Sequence, residues 1–349
     1  MIILGIETSC DETATAILEN GTKVLSFQVA SSEEIHKKYG GIVPEQAARE
    51  QIKYIIPVIK EAIKKSKISI KNIDALAVTY GPGLVGSLII GIETAKTLSF
   101  IFKKPIVPVN HLTAHLYGNF INQKDSNKKS QSKIQFPALG LIVSGGHTEL
   151  ILMKKHGQYK WIGGTRDDAA GECFDKCARL LGFAYPGGPE IEKIAANFNL
   201  DNIKNQSSYI KLPRPMINDK SFDFSFSGLK TALMYKLKTI GQKHKKSLKT
   251  QLAYELQEAI TDILVTKTLK AGQLFNVKSI LVGGGVTANL CLRNKLKNSL
   301  SHLSPQVKLF IPDIKWCTDN GVTIAAAAYF NYKPLPLSQI KPNPSLEIC

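Results

Sequence analysis

The chain carries one structural plan twice. An apolar run, Ile2 to Ile6, meets the polar turn Glu7-Thr8-Ser9-Cys10-Asp11-Glu12-Thr13, and Ala14–Leu18 returns as a second apolar run. About 135 residues further along, the stretch from Ala138 to Leu152 repeats the order: apolar run, small polar turn (Ser144-Gly145-Gly146-His147), apolar run. The similarity is one of plan and not of residues. Each module predicts a β-hairpin, and Asn20-Gly21 turns the first into a third strand, Val24–Val29. Two such modules in 349 residues predict an α/β fold of two duplicated lobes, their polar turns facing one central cleft.

Between the modules, apolar spacing at Ile52, Ile55, Ile56, Ile59 and Ile63 predicts a helix over Pro44–Lys65, with Pro57 a point of kinking or splitting. Ile73–Thr79 reads as a strand that runs through Gly81-Pro82-Gly83 into a helix, about Leu84 to Phe102; Pro105–Val109 is a further strand. The polar stretch Gln123–Gln135 marks a lobe boundary or an exposed loop. Later segments alternate in the same manner. A helix ends near Leu181, a tight turn lies at Tyr185–Pro189, Leu252–Ala271 is a long amphipathic helix, and Ser279–Val282 and Leu309–Pro312 are strands. The small-residue helix Val322–Phe330 follows Cys317-Thr318-Asp319-Asn320-Gly321. The expected division is 1–133 as first lobe, rejoined by 316–349, and 134–315 as second lobe.

Formal net charge is +17, which points to an acidic partner such as nucleic acid. Only five of the 45 basic residues are arginine, the better bidentate reader of phosphates and bases, and a lysine-rich chain also fits a biased composition. The six cysteines show no Cys-x-x-Cys spacing, although Cys173 and Cys177 stand one helical turn apart. No run is expected to be long enough to cross a bilayer, the N-terminus has no basic n-region, and the cytoplasm is the expected location.

Asn110-His111-Leu112-Thr113-Ala114-His115 places two imidazoles on one helix face. Alone, such a pair is more often two surface or core histidines than a metal site; a third ligand changes the balance. Asp319 can supply it, giving a His2Asp set with open positions, though an aspartate before a helix can equally be a cap. Strand–glycine–helix at Gly283–Asn289 and the glycines after Ser144 can present amides to a nucleotide, or can simply be tight turns. Asp11, Glu12 and His147 lie in the polar turns as acid–base candidates.

Taken in order, these stretches resemble one family closely: Ile6–Thr13, Gly81–Gly86, His111 and His115, Val143–Thr148, Asp167–Glu172, Tyr185–Pro189, Phe222–Lys230, Gly284–Asn289 and Cys317–Gly321. The chain is similar to the universal tRNA N6-adenosine threonylcarbamoyltransferases (TsaD family) from Ile2 to about Tyr329. The resemblance implies an actin/Hsp70/sugar-kinase-like fold of two ribonuclease-H-like lobes. It also implies transfer of the threonylcarbamoyl group of threonylcarbamoyl-adenylate to N6 of the adenosine just 3′ of the anticodon, in tRNAs reading codons that begin with A, with release of AMP. On matching positions, His111, His115 and Asp319 hold one divalent metal, Fe2+ with Zn2+ as the alternative, and Ile142, Val143, Ser144, Gly145, Gly146, Asp175, Gly188, Glu192 and Asn289 contact the adenylate. The implied partners are tRNA, a homologous dimerisation partner (TsaB-like) and a P-loop ATPase (TsaE-like), with no membrane; the Lys236–Lys249 stretch is the expected tRNA surface and the helix after Gly83 a docking face.

Three rival readings remain open to test. A zinc peptidase needs Glu directly after the first histidine, where this chain has Leu112. A phosphoryl-transferring relative of the same fold would hydrolyse nucleotide without tRNA, and a non-catalytic scaffold would not need His111, His115 and Asp319 together.

Overall fold

The computed structural model describes residues 1–122, 133–199, 209–239, 242–303 and 306–348, with the side chains of 242–247 and 301–303 set aside. The first module forms β1 (Ile2–Glu7), β2 (Glu12–Glu19) and β3 (Lys23–Ser31), followed by α1 (Glu33–Lys37), α2 (Pro44–Ser66), β4 (Ala75–Gly81), α3 (Val85–Phe102), β5 (Ile106–Asn110) and α4 (His111–Tyr117). The second forms β6 (Ala138–Val143), β7 (Thr148–Lys155), β8 (Gln158–Gly164), α5 (Ala170–Leu181), α6 (Gly187–Ala195), α7 (Ser227–Thr239), α8 (Gln242–Leu274), β9 (Ser279–Gly283), α9 (Leu290–Leu303) and β10 (Lys308–Phe310); α10 (Gly321–Phe330) closes the chain.

The duplication is exact in topology. One sheet runs β3-β2-β1-β4-β5, and the other β8-β7-β6-β9-β10. In each, the two hairpin pairings are antiparallel and the two that follow are parallel. Parallel pairing forces a helical crossover, and strand ends then gather at one edge, where ligands of open α/β sheets bind. This is the two-lobed duplication that the repeated hairpin predicted, in the actin/Hsp70/sugar-kinase-like arrangement that the family resemblance implies.

The first lobe's sheet is covered by helices on both faces. α2 buries Ala47, Ile55, Val58, Ile59 and Ala62, while Ile52 and Ile56, expected on the same face, are exposed. Pro57 neither breaks nor splits α2; it lies on the solvent side, where water can take the carbonyl bond that proline's missing N–H leaves open. Over its 18 residues α3 has a mean hydropathy of 1.4, so by length and composition it can cross a membrane, contrary to the expectation that no run can. Here it lies along the sheet with Leu88, Ile92 and Ala95 in the core, and carries the pair Glu93–Lys96. The stretch 123–132 and residues 240–241 lie outside the described residues, as do the side chains of 242–247, so the expected polar loop and much of the basic stretch do too.

α10 covers the other face of the first sheet, and every residue from Gly321 to Ala328 is buried. Its small side chains let it come very close: a Cβ on Gly5 would stand 2.3 Å from the Gly321 carbonyl oxygen and 2.8 Å from Ala325 N, and one on Gly321 would stand 2.6 Å from Ala16 N. Backbone on both sides leaves nothing to move aside. Gly321→Ala is expected to cost roughly 1–3 kcal/mol of stability by overpacking, read by thermal denaturation, and to lower divalent-metal retention by displacing Asp319. Unchanged melting and metal content would contradict this packing argument.

Candidate metal centre and cleft

Asn110 starts the histidine helix. Its Oδ1 accepts from Leu112 N at 2.9 Å and Thr113 N at 3.2 Å, satisfying two of the orphan donors of a helix N-terminus. His111 and His115 follow in the two turns of α4, with ring centroids 4.6 Å apart. Asp319 comes from the other end of the chain. It is not the cap of α10: Asn320 takes that role, accepting from Thr323 N at 3.0 Å. The capping explanation for Asp319 is thereby removed. Its Oδ1 stands 3.7 Å from His111 Nε2 and 3.6 Å from His115 Nε2. The three ligand atoms lie within 4.8 Å of one another, a compact set for one ion.

The donor set fits a metal on a second count. Both ring nitrogens of His115 are buried with no hydrogen-bond partner, and a buried unpaired polar atom carries a desolvation cost. An ion among the three groups would satisfy one of them.

Residues that sequence reasoning did not single out hold this centre. Glu7, 1% exposed, accepts at Oε2 from Thr79 Oγ1 at 2.7 Å and lies 3.0 Å from His111 Nδ1. Gln51 Nε2 reaches the carbonyls of Cys10 and Glu12 at 3.0 Å, and Ser87 Oγ that of Cys10, fixing the first polar turn. Arg293 bonds the Thr287 and Pro312 carbonyls and Cys317 Sγ, tying the glycine loop to the segment that bears Asp319. Gly283 abuts the His115 carbonyl so closely that a Cβ would stand 2.6 Å away. Gly283 lies in the glycine stretch read from the sequence, but the contacts of Glu7, Gln51, Ser87 and Arg293 join separate elements and have no signal in a single sequence.

The nominated substrate positions divide into three kinds. Ile142 and Val143 are wholly buried core side chains, so only their backbone can meet a ligand. Ser144 and His147 close the second turn, Ser144 N donating to the His147 carbonyl at 2.8 Å, while Gly145, Gly146 and Gly188 face open space. Asp175, Glu192 and Asn289 brace loops: Asp175 Oδ1 accepts from Gly187 N at 2.7 Å, Glu192 Oε1 from Leu290 N at 2.6 Å, and Asn289 Nδ2 donates to Gln257 at 2.9 Å. Glu12 Oε1 accepts from Ser31 at 3.1 Å and its Oε2 is buried without a partner; Asp11 and Asp319 both act on its ionisation. Cys173 and Cys177 are buried free thiols with sulfurs 3.9 Å apart.

Residues 23–326 match the family model described as tRNA N6-adenosine threonylcarbamoyltransferase. Proteins of that name from Persephonella marina (44% identical over 336 residues, 95% of this chain and 91% of that one) and Bacillus cereus (45% over 350 residues, 99% and 96%) are similar along nearly their whole length. Among solved structures, the Acidaminococcus fermentans (R)-2-hydroxyglutaryl-CoA dehydratase component A superposes with a TM-score of 0.52 at 13% identity, covering 95% of this chain and 98% of that one. T. kodakarensis HypF gives 0.60 at 12% identity, covering 95% and 47%. At such identities these two attest the fold alone.

The charged groups of the centre act strongly on one another. Burial alone would raise Glu7, but attraction to His111 and hydrogen bonds from His111, Thr79 and Ser9 outweigh it and hold it near 2. Burial opposes the charge on His111, yet Asp319 and Glu7 raise it to about 9. Burial, then the charge of His111, keeps His115 well below the ordinary imidazole range and His147 at about 4. Burial, with Asp11 and Asp319 adding, raises Glu12 to about 8.

A folded-state pKa above the unfolded one contributes stability at low pH that is lost as pH rises through the folded value. His111 (6.5 to about 9) and Glu12 (4.5 to about 8) both act in this direction. Metal-free protein should therefore lose stability as pH rises from about 6.5 to 9. His147 and Glu7, both lowered, remove stability as pH falls below about 6.5 and 4.5 respectively. Melting temperature against pH on chelator-treated protein checks this; a flat profile between pH 6.5 and 9 would contradict the assigned proton on His111.

Proposed function

Because the chain belongs to the tRNA N6-adenosine threonylcarbamoyltransferase family, and so transfers a threonylcarbamoyl group to adenosine of tRNA, we propose that its chemistry is centred on His111, His115 and Asp319 at the mouth of the glycine-lined cleft. The observation that carries this reading is their convergence within 4.8 Å, with Gly283 of the glycine loop packed so closely on His115 that a Cβ there would stand 2.6 Å from its carbonyl oxygen. The three residues would hold one divalent ion, Fe2+ or alternatively Zn2+. Such an ion, when bound, polarises donor oxygens as a Lewis acid.

The remaining work falls to the chain's own groups. Threonylcarbamoyl-adenylate is the donor, and AMP leaves as the carbamoyl carbon is attacked by N6 of the adenosine 3′ of the anticodon. The backbone of Ile142–Gly146 and the loops braced by Asp175, Glu192 and Asn289 hold the adenylate, with Gly188 leaving room for it. Positioning is the main contribution here, because an exocyclic adenine amine is a weak nucleophile. Asp11, Glu12 and His147 are the groups available to take the amine proton, Glu12 being raised to about 8 by burial and by the charges of Asp11 and Asp319.

Lobes of 1–133 with 316–349, and of 134–315, frame this cleft. α7 contains no acid and presents Lys236, Lys238 and Tyr235, with Lys238 Nζ 5.9 Å above the Tyr235 ring, a surface suited to RNA phosphates and bases. The exposed Ile52 and Ile56 of α2 and Val85 and Ile89 of α3 flank the Ala48–Gly86 contact between those helices and would seat a homologous, TsaB-like partner, with a TsaE-like P-loop ATPase completing the assembly. The cytoplasm is the compartment this reading implies.

Two experiments test it. Purified protein with its partners, threonine, bicarbonate, ATP and unmodified tRNA should yield the threonylcarbamoyl nucleoside, and His111→Ala should lower the yield by at least about 100-fold. A metal-free His111→Ala enzyme with full activity would sink the metal-centred reading, and peptide cleavage without nucleoside product would restore the peptidase one. Separately, Ile89→Glu should weaken association with the homologous partner at least tenfold, about 1.4 kcal/mol, in sedimentation analysis, with metal content unchanged. Undiminished association would remove α3 from that interface.

A further inference from the structure

Glu7 ends β1 and is buried. Burying an ionised carboxylate is costly unless it is paired and hydrogen-bonded. Among the described residues no lysine or arginine pairs with it; its ion-pair partner is His111. The contacts are specific. Oε1 accepts from Ser9 N at 2.5 Å, and Oε2 accepts from Thr79 Oγ1 at 2.7 Å and stands 3.0 Å from His111 Nδ1. Ser9 Oγ is 3.2 Å from the same nitrogen. The sheet builds this arrangement in: β1 and β4 pair in parallel with Ile6 opposite Val78, which sets Thr79 beside Glu7, and β5 next to β4 leads directly into His111.

A carboxylate at Nδ1 fixes a proton there and aims Nε2 toward Asp319, 3.7 Å away, so that Nε2 is the nitrogen left to give up its proton to an ion. His115 differs, since neither of its ring nitrogens has a hydrogen-bond partner. Polar contacts thus set the tautomer and ring angle of one imidazole and not of the other. We propose that Glu7 is a positioning residue that holds His111 as the pre-oriented Nε2 ligand of the centre, with Thr79 and Ser9 holding Glu7 in turn. The inference rests on the metal reading above.

The amide of Glu7→Gln can turn its NH2 toward Nδ1, which forces the imidazole proton onto Nε2 and blocks the ligand atom. The test uses Co2+ as probe on the full chain, anaerobically and without tRNA, with affinity read against a competing chelator and geometry read from the visible ligand-field bands. Glu7→Gln should weaken Co2+ binding about 10–100-fold and alter the bands. Glu7→Asp, which restores a carboxylate one methylene shorter, should recover part of that loss, as a packing role alone would not. Thr79→Val, of matching shape and remote from the ligands, should cost a few-fold and keeps the test alive if the Glu7 variants do not fold. Wild-type affinity and bands in Glu7→Gln or, should that variant not fold, in Thr79→Val overturn the inference, as does equal weakening by Gln and Asp. Absence of Co2+ binding by the wild type overturns the metal reading itself, a result distinguishable from equal binding by all variants.

Discussion

The contact between Gly5 of β1 and Gly321 of α10 is the constraint on which the rest depends. Two backbones meet there at a separation that a single methyl would fill. The helix can sit so deep because the run from Gly321 to Ala328 offers little beyond small or branched side chains. Its depth sets where Asp319, two residues before it, emerges. Were α10 a turn's width further from the sheet, the aspartate would miss the histidines that the fourth helix presents from the opposite direction.

Polar restraint then refines what packing sets coarsely. Asn110 caps α4, Glu7 grips one imidazole, Asn320 takes the capping duty that would otherwise occupy Asp319, and Arg293 anchors the strand of chain leading to it. Each of these groups is satisfied within the protein, while both nitrogens of His115 are left without a partner. The centre is therefore rigid around its rim and open at its ligand atoms, the condition under which an ion is bound without first reorganising the site.

Duplication supplies the second half of the logic. Because both sheets have the same strand order, both place a hairpin turn at the equivalent strand ends. The turns have since diverged in content. The first, Thr8–Asp11, is clamped by Gln51 and Ser87 from the helices behind it. The second, Ser144–His147, is closed on itself and leaves two glycines facing open space. The first turn thus meets His111 through Ser9, and the second keeps two glycines clear of neighbouring side chains.

The α/β class, the two hairpin modules, the histidine helix and the residue that joins its two histidines, Asp319, were legible in the sequence, because hydrophobic period, turn chemistry and ordered motifs are local signals. Reading Asp319 as a cap failed by one residue, since Asp and Asn are both good caps and only the backbone angles of Asn320 decide between them. Ile52 and Ile56 fit an apolar helix face yet stand in solvent, because periodicity marks a stripe without saying what covers it. Glu7, Gln51, Thr79 and Arg293 were invisible for a different reason: their contacts join separate elements, His111 lying 104 positions from Glu7, Glu7 72 from Thr79, Glu12 39 from Gln51 and Cys317 24 from Arg293. The sequence by itself determined which elements form and which side chains can bind an ion. Only the tertiary structure decided which of them meet and which nitrogen points inward, because contacts between distant strands are fixed by sheet order and close glycine packing, and those have no period along the chain.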